Sequence, residues 1–342
     1  MKLELDDNGS LLSMLAKIIV PTERDRALAL MSKCGFDVNQ IRNALTNPRY
    51  NDRNLGRRMS EVKAIIDAYI ENHRFCFLNP NRSMEHLKTR LAAAPDIFPA
   101  SQIRDARIID FGSGKFDMLG MSILLFANMA EHIYAVEPAR PDKKLPYLAA
   151  LETAKLILSK PEKYKLVPID SEEMKRRVST IDYEKIEIIS ADGVPDQGIH
   201  INEGITVKKT MDGIQENSID LIISTSVLEH VHDFEYVMRQ QFSLLKPGGV
   251  AIHAVDFTDH RHDHPQYHPF MFYYDNKKKD VNGMRDIDMI RTFENIGFAV
   301  RTTRVFKLDE KDIDVDRLSD HYKRYPINHL LTRGATFVLS RE

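Results

Sequence analysis

The apolar residues of the chain change rhythm near residue 106. Before that point they recur at three- and four-residue spacing, which predicts helices. "TERDRALALMSKCGF" begins at a capping candidate, Thr22, and stops at Gly35. "DVNQIRNAL" and "SEVKAIIDAYIENH" continue the pattern behind Asp37 and Ser60, both good N-cap residues. "SMEHLKTRLAAAP" is a further helix closed by Pro95. Residues 1–100 are therefore expected to form a helical extension, acting as a cap, a substrate lid or a dimerisation element.

After residue 106, short apolar runs of strand length alternate with helical stretches. "ARIIDF", "HIYAVEP", "IDLIISTS" and "GGVAIHAVDF" read as strands, and "MSILLFANMA" and residues 233–245 as helices. A long helical and polar stretch covers residues 143–177. "IEIIS" and "ITVKK" are both strand candidates, separated by the turn-rich "ADGVPDQGIHINEG". "MIRTFENIGF", "AVRTTRVFKL" and "GATFVLSR" read as a helix and the last two strands. Strands alternating with helices predict a doubly wound, largely parallel α/β sheet. That domain is expected over residues 101–342.

Composition changes this picture little. The 342 residues are 43% hydrophobic and 29% charged, as in ordinary globular proteins, and suffice for a sizeable core. A formal net charge of -2 gives no bulk attraction to nucleic acid or to an anionic membrane. The two cysteines, Cys34 and Cys76, make no metal or redox spacing and suit a reducing, cytoplasmic setting. Acids precede the N-terminal apolar patch, so it is not expected to act as a signal peptide, and no stretch is apolar enough to span a bilayer.

The candidate chemistry begins at "IIDFGSGKFDMLG", where an apolar run ends in an acid and is followed by two glycines. A phosphate P-loop needs glycines five residues apart and a hydroxyl after the lysine, but Ile109 and Phe116 hold those positions. A dinucleotide loop needs a third glycine where Asp117 stands, and a carboxylate there would repel a pyrophosphate. S-adenosylmethionine carries no phosphate, and its ammonium suits a nearby carboxylate such as Asp110. Glu137 lies 25 residues beyond Gly112 at the end of the next strand, where an acid can accept both ribose hydroxyls.

With "IYAVEP", "NSIDLIISTSVLEHV" and "LLKPGGVAIHAVD" following in order, the stretch from Ala106 to Glu342 resembles the class I S-adenosylmethionine-dependent methyltransferases. "SVLEHV" followed by "LLKPGG" is similar to the branch acting on small metabolites. The loop and the later Asp/His-rich segment look most like members of polysaccharide and glycan biosynthesis. The resemblance implies a Rossmann-like seven-stranded sheet and S-adenosylmethionine as cofactor. It implies that Asp110, Gly112, Ser113 and Gly114 line the methionyl end, and that Glu137 binds the ribose. It also implies that Ser224, Thr225 and Ser226 lie near the transferred methyl. The adenine contact depends on which segment is the third strand: Asp212 or Met211 if "ITVKK", Asp192 if "IEIIS". Asp212 is preferred, although the loop after it is shorter than the family's.

One dense polar cluster, "HAVDFTDHRHDHPQYHPF", follows a strand and so falls at the carboxyl edge of the sheet. It holds His253, Asp256, Asp259, His260, His262, Asp263, His264 and His268. Histidine titrates near neutrality and suits base work, so His260, His262 and His264 are the candidate catalytic residues. A divalent metal site and a merely solvated loop are the competing readings; no specific metal spacing is present. His230 in "LEHV" is read chiefly as structural. "PFMFYY" could stack on a ring acceptor or pack a hydrophobic lid. "DIDVD" lacks the glycine and the glutamate of a calcium loop.

The leading expectation is an S-adenosylmethionine-dependent O-methyltransferase acting on a glycan or small-molecule hydroxyl. It would have no nucleic-acid partner and no membrane span, and a homodimer is compatible with the sequence. The alternatives are a nitrogen or phosphate acceptor, or a catalytically silent partner-binding subunit. Asp117 disfavours a nicotinamide oxidoreductase. Lys115 is expected to point away from the sulfonium or to meet an anionic acceptor.

Overall fold

A computed structural model describes residues 28, 38–46, 80–114, 119–138, 145–260, 268–275, 277 and 280–342. Thr22, Cys34, Asp37, Ser60, Cys76, Lys115, Phe116, Asp117, His262, Asp263 and His264 lie outside them. Elements are numbered over the described residues.

The extension contributes α1 (Val38–Thr46) and α2 (Pro80–Leu91). β1 (Arg107–Phe111), α3 (Gly120–Ala127) and β2 (His132–Val136) open the alternating part. Three helices follow: α4 (Leu145–Ser159), α5 (Ser171–Ser179) and α6 (Tyr183–Asp192). Then come β3 (Ile199–His200), β4 (Ile205–Lys208), β5 (Ile219–Thr225), α7 (Phe234–Leu244) and β6 (Leu245–Asp256). The chain ends with α8 (Phe272–Asp275), α9 (Asp286–Ile296), β7 (Ala299–Lys307), α10 (Asp320–Lys323), α11 (Ile327–Leu330) and β8 (Thr332–Ser340).

The strands form one eight-stranded sheet in the order β3-β4-β2-β1-β5-β6-β8-β7. From β4 to β6 all pairings are parallel, and β8 runs antiparallel to both its neighbours. The order reverses between β1 and β5, the crevice where doubly wound sheets bind ligands at their carboxyl edge. The doubly wound expectation holds, with one addition to the seven strands. β3 is a two-residue antiparallel strand on the outer edge of β4.

"IEIIS" is not a strand. Asp182 accepts hydrogen bonds from the backbone N–H groups of Glu184 and Lys185, which nucleates α6. Ile186 and Ile189 are buried while Ile188 is 48% exposed, a helical and not an alternating pattern. The third parallel strand is "ITVK", so Asp192 belongs to a helix end far from that role.

Each face of the sheet carries its own apolar core. One is built with Ile108, Leu221, Ile223, Ile252 and Val338 and takes in Met84, Leu87 and Leu91 of α2. The other is built with Ile109, Ile222, Ala251, Phe337 and Leu339 and takes in α7, α9 and residues 270–273. The α2 helix packs across α3, α4 and β6. "PFMFYY" is largely core: Phe270, Phe272 and Tyr273 are buried, and the Tyr273 hydroxyl donates to the Leu330 carbonyl.

Candidate active site

Strand β1 ends by pointing Asp110 into the first core, where it has no exposure. Its Oδ2 accepts from the Ser122 hydroxyl at 2.7 Å, and its Oδ1 is buried without a partner. Burial pushes its carboxyl up to about 6, against the Ser122 bond and helped by the nearby Glu137 charge. The Ser113 hydroxyl, also buried, likewise lacks a partner. Two buried polar atoms without partners at one strand end are a place for a polar ligand group.

The loop after β1 is tied to the end of β2. Gly112 and Ser113 donate their N–H groups to the Val136 carbonyl at 2.8 and 3.1 Å. Gly114 donates to Glu137 Oε2 at 3.0 Å, and Glu137 is only 7% exposed. Gly112 and Gly114 have φ of +69° and +107°, which disfavour any side chain. A Cβ at Gly112 would fall 2.2 Å from Val227 of the loop after β5. The glycine therefore lets two strand-end loops close on each other. Because these N–H groups are already engaged, the loop is not a phosphate cradle, which agrees with the absence of a P-loop pattern.

Ser224 and Thr225 end β5 on opposite faces, as strand alternation requires. Ser224 is fully buried and bonded to His253 Nδ1 at 2.8 Å. Burial lowers His253 to about 3, so its imidazole stays neutral and is not available as a base near neutrality. His253 lies within β6, not in the loop beyond it. Thr225 Oγ1 accepts from Arg90 Nε of α2 at 3.2 Å. Asp212 is exposed; its carboxylate meets Thr210 Oγ1 at 2.9 Å and Gln240 Nε2 of α7 at 3.1 Å. Its neighbour Met211 is buried beside Phe111 and Val136.

The residues expected on the acceptor side divide. His260 packs its ring 4.8 Å from that of His230, whose Nδ1 donates to the Asp280 carbonyl. Asp259 is buried and Oδ2 accepts from the Phe272 N–H, so it anchors the returning chain. Asp256, at the tip of β6, accepts from the Thr258 N–H and hydroxyl. His268 Nδ1 accepts from the Phe270 N–H. Among the described residues no group of His, Cys, Asp and Glu is arranged to hold a metal.

Glu229 escapes a sequence reading. It is 2% exposed, and neither carboxyl oxygen has a partner. Burial, with the Asp256 charge adding to it, pushes its carboxyl up to about 8. The tripeptide Leu-Glu-His looks like an exposed helix start; only the packing of that turn on the end of β6 buries the acid.

The sheet order, the closed loop at its switch point and the acid ending β2 define a class: a Rossmann-like nucleoside-binding enzyme without a phosphate cradle. Residues 81–303 match the family model described as a methyltransferase domain, and the chain belongs to that family. No curated protein sequence matches it. Among solved structures it is similar to Haemonchus contortus phosphoethanolamine N-methyltransferase 2 in complex with S-adenosyl-L-methionine. That match has 14% identity and a TM-score of 0.42, covering 88% of this chain and 60% of that one. An arsenic(III) S-adenosylmethionine methyltransferase from Chlamydomonas reinhardtii matches at 14% identity and TM-score 0.38, covering 69% and 62%. The YcgJ protein from Bacillus subtilis matches at 13% and 0.39, covering 75% and 99%.

The chain is an S-adenosylmethionine-dependent methyltransferase. The site fits that cofactor. Asp110 Oδ1 lacks a partner that an ammonium or its water can supply, and Glu137 stands at the strand end suited to a ribose. When bound, S-adenosylmethionine supplies the sulfonium methyl group. No helix among the described residues is long and apolar enough to cross a membrane.

Proposed function

We propose that the chain methylates a hydroxyl group of a small molecule or glycan. The observation that carries this reading is the gathering of histidine and carboxyl side chains where β5 and β6 end. His230 and His260 touch there, Glu229 adjoins His230 in the same turn, and the Asp256 charge acts on Glu229. A hydroxyl must lose a proton as its oxygen gains a methyl, so a positioned base assists it. The chain's part is to hold the acceptor oxygen in line, exclude water and take that proton. His260, His262 and His264 are the candidate bases, and Asp110, Gly112, Ser113, Gly114, Glu137, Asp212, Ser224 and Thr225 the candidate cofactor contacts.

The reading is tested by incubating the protein with methyl-13C S-adenosylmethionine and a panel of hydroxyl, amine and phosphate acceptors. A new methyl resonance at an ether shift is expected, and methylation confined to nitrogen or phosphate overturns the proposal. His260→Ala should lower turnover by roughly a hundredfold with unchanged S-adenosylhomocysteine affinity if His260 is the base.

A further inference from the structure

Two arginines are buried, Arg285 and Arg90, and a third, Arg177, is half-buried; Arg90 is unlike the other two. Arg285 donates to the carbonyls of Phe257, His329 and Thr332 and lies over the rings of Phe257, Phe270 and Tyr273. Arg177 donates to the carbonyls of Phe126 and Ala130 and covers the Phe126 ring. Arg90 is 8% exposed and makes one hydrogen bond, to the Thr225 hydroxyl. Among the described residues it has no carbonyl, ring or carboxylate partner. Burying a guanidinium in this way is costly unless something negative joins it.

A second cation stands beside it. Thr225, Ala254, Thr336 and Thr303 form one row across β5, β6, β8 and β7. The pairing of β7 with β8 slips between Thr303 and Phe306, and Arg304 in that bulge has φ of +49°. Bulges of this kind re-aim a side chain and are frequent beside active sites. Arg304 is exposed, makes no hydrogen bond or ion pair among the described residues, and lies close enough for its charge to act on Arg90. Burial and that neighbouring charge together lower Arg90 to about 10, the reverse of what an acidic partner would do. Arg301, three residues before Arg304 on β7, is not part of the pair, since Asp96 neutralises it at 2.8 Å.

We infer that Arg90 and Arg304 form an anion-binding pair at the carboxyl edge of β5, waiting for a carboxylate or similar oxyanion that arrives with a ligand. The pair rests on the carboxyl edge being the reaction site, as proposed above. Two ligands can bring such a group: the cofactor, through its methionyl carboxylate, or an acidic methyl acceptor. A guanidinium fork matches either one. The extension thereby completes the site, because Arg90 lies on α2, outside the strand-and-loop motifs that define the fold.

Isothermal titration with three probes tests this. They are S-adenosylhomocysteine, 5′-methylthioadenosine, which lacks the amino-acid part, and inorganic phosphate added to the S-adenosylhomocysteine complex. If the pair holds the cofactor carboxylate, Arg90→Gln weakens S-adenosylhomocysteine by roughly tenfold or more and leaves methylthioadenosine unchanged. If it holds an acceptor anion, both nucleosides bind normally and phosphate binding is lost. Arg304→Gln, a change at an exposed residue, should move the same probe in the same direction. The inference fails if both variants bind all three probes like the wild type, or if both nucleosides weaken equally. If the wild-type protein binds neither nucleoside, it is the placement of the cofactor that fails, and phosphate binding to the free protein still tests the pair.

Discussion

A carboxyl group shut away from both water and hydrogen-bond partners keeps its proton, and Glu229 is such a group. Its ordinary range lies near 4.5, and in the fold it is raised to about 8. Between these values the unfolded chain loses the proton while the folded chain holds it. Stability from this group is therefore fully present below about pH 4.5 and falls as pH rises towards about 8. Glu229→Gln removes that dependence while keeping the shape. Its melting temperature should exceed the wild type's by a margin that grows from pH 5 to pH 8. A constant margin would show that the carboxyl is charged in the fold. Asp110 differs in that Ser122 holds one of its oxygens, which keeps its rise smaller. That Asp110 and Glu137 stand at the ends of β1 and β2 was legible in the sequence because a strand end and a glycine turn are local features. Arg90 was not: in "SMEHLKTRL" it looks like one more cation on a wet helix face. The opposed facing of Ser224 and Thr225 was available from alternation alone, which assigns neighbouring strand residues to opposite faces.

At the scale of elements, α6 shows how a short apolar run can be either strand or helix. "IEIIS" has the β-branched content of a strand, and periodicity cannot decide over five residues. The decision comes from Asp182, whose carboxylate caps the first turn, and from burial of Ile186 and Ile189 on one side. Asp182→Ala should cost about 1 kcal/mol of stability by denaturant titration. Loss of less than a few tenths would mean that packing alone holds the helix. The two candidate third strands thus resolve without any change in Asp212's place in the sequence, only in which acid follows a strand. The bulge in β7 is a comparable case, since only pairing with β8 reveals that Arg304 leaves the regular register.

Across the whole molecule, α2 is joined to the sheet by its packing and by an ion pair. Met84, Leu87 and Leu91 share a core with Ile223 and Ile252, and Arg301 of β7 grips Asp96 and the Ala93 carbonyl. Leu87 has no exposure, so Leu87→Ala should lower unfolding stability by about 2–5 kcal/mol in a single cooperative transition. Two separated transitions would mean that α2 folds independently of the sheet. The family match begins at residue 81, inside this helix.

The order of apolar runs determined the sheet, and the loop from Asp110 to Gly114 and the acid after β2 marked where its first two strands end, because each is encoded within a few neighbouring residues. Tertiary structure alone decided which charges are buried. It shut Glu229 against the end of β6 and set Arg90 on Thr225 at the end of β5, within reach of the Arg304 charge. Burial and charge pairing depend on residues far apart in the chain, from position 90 to position 304, so no local pattern can report them.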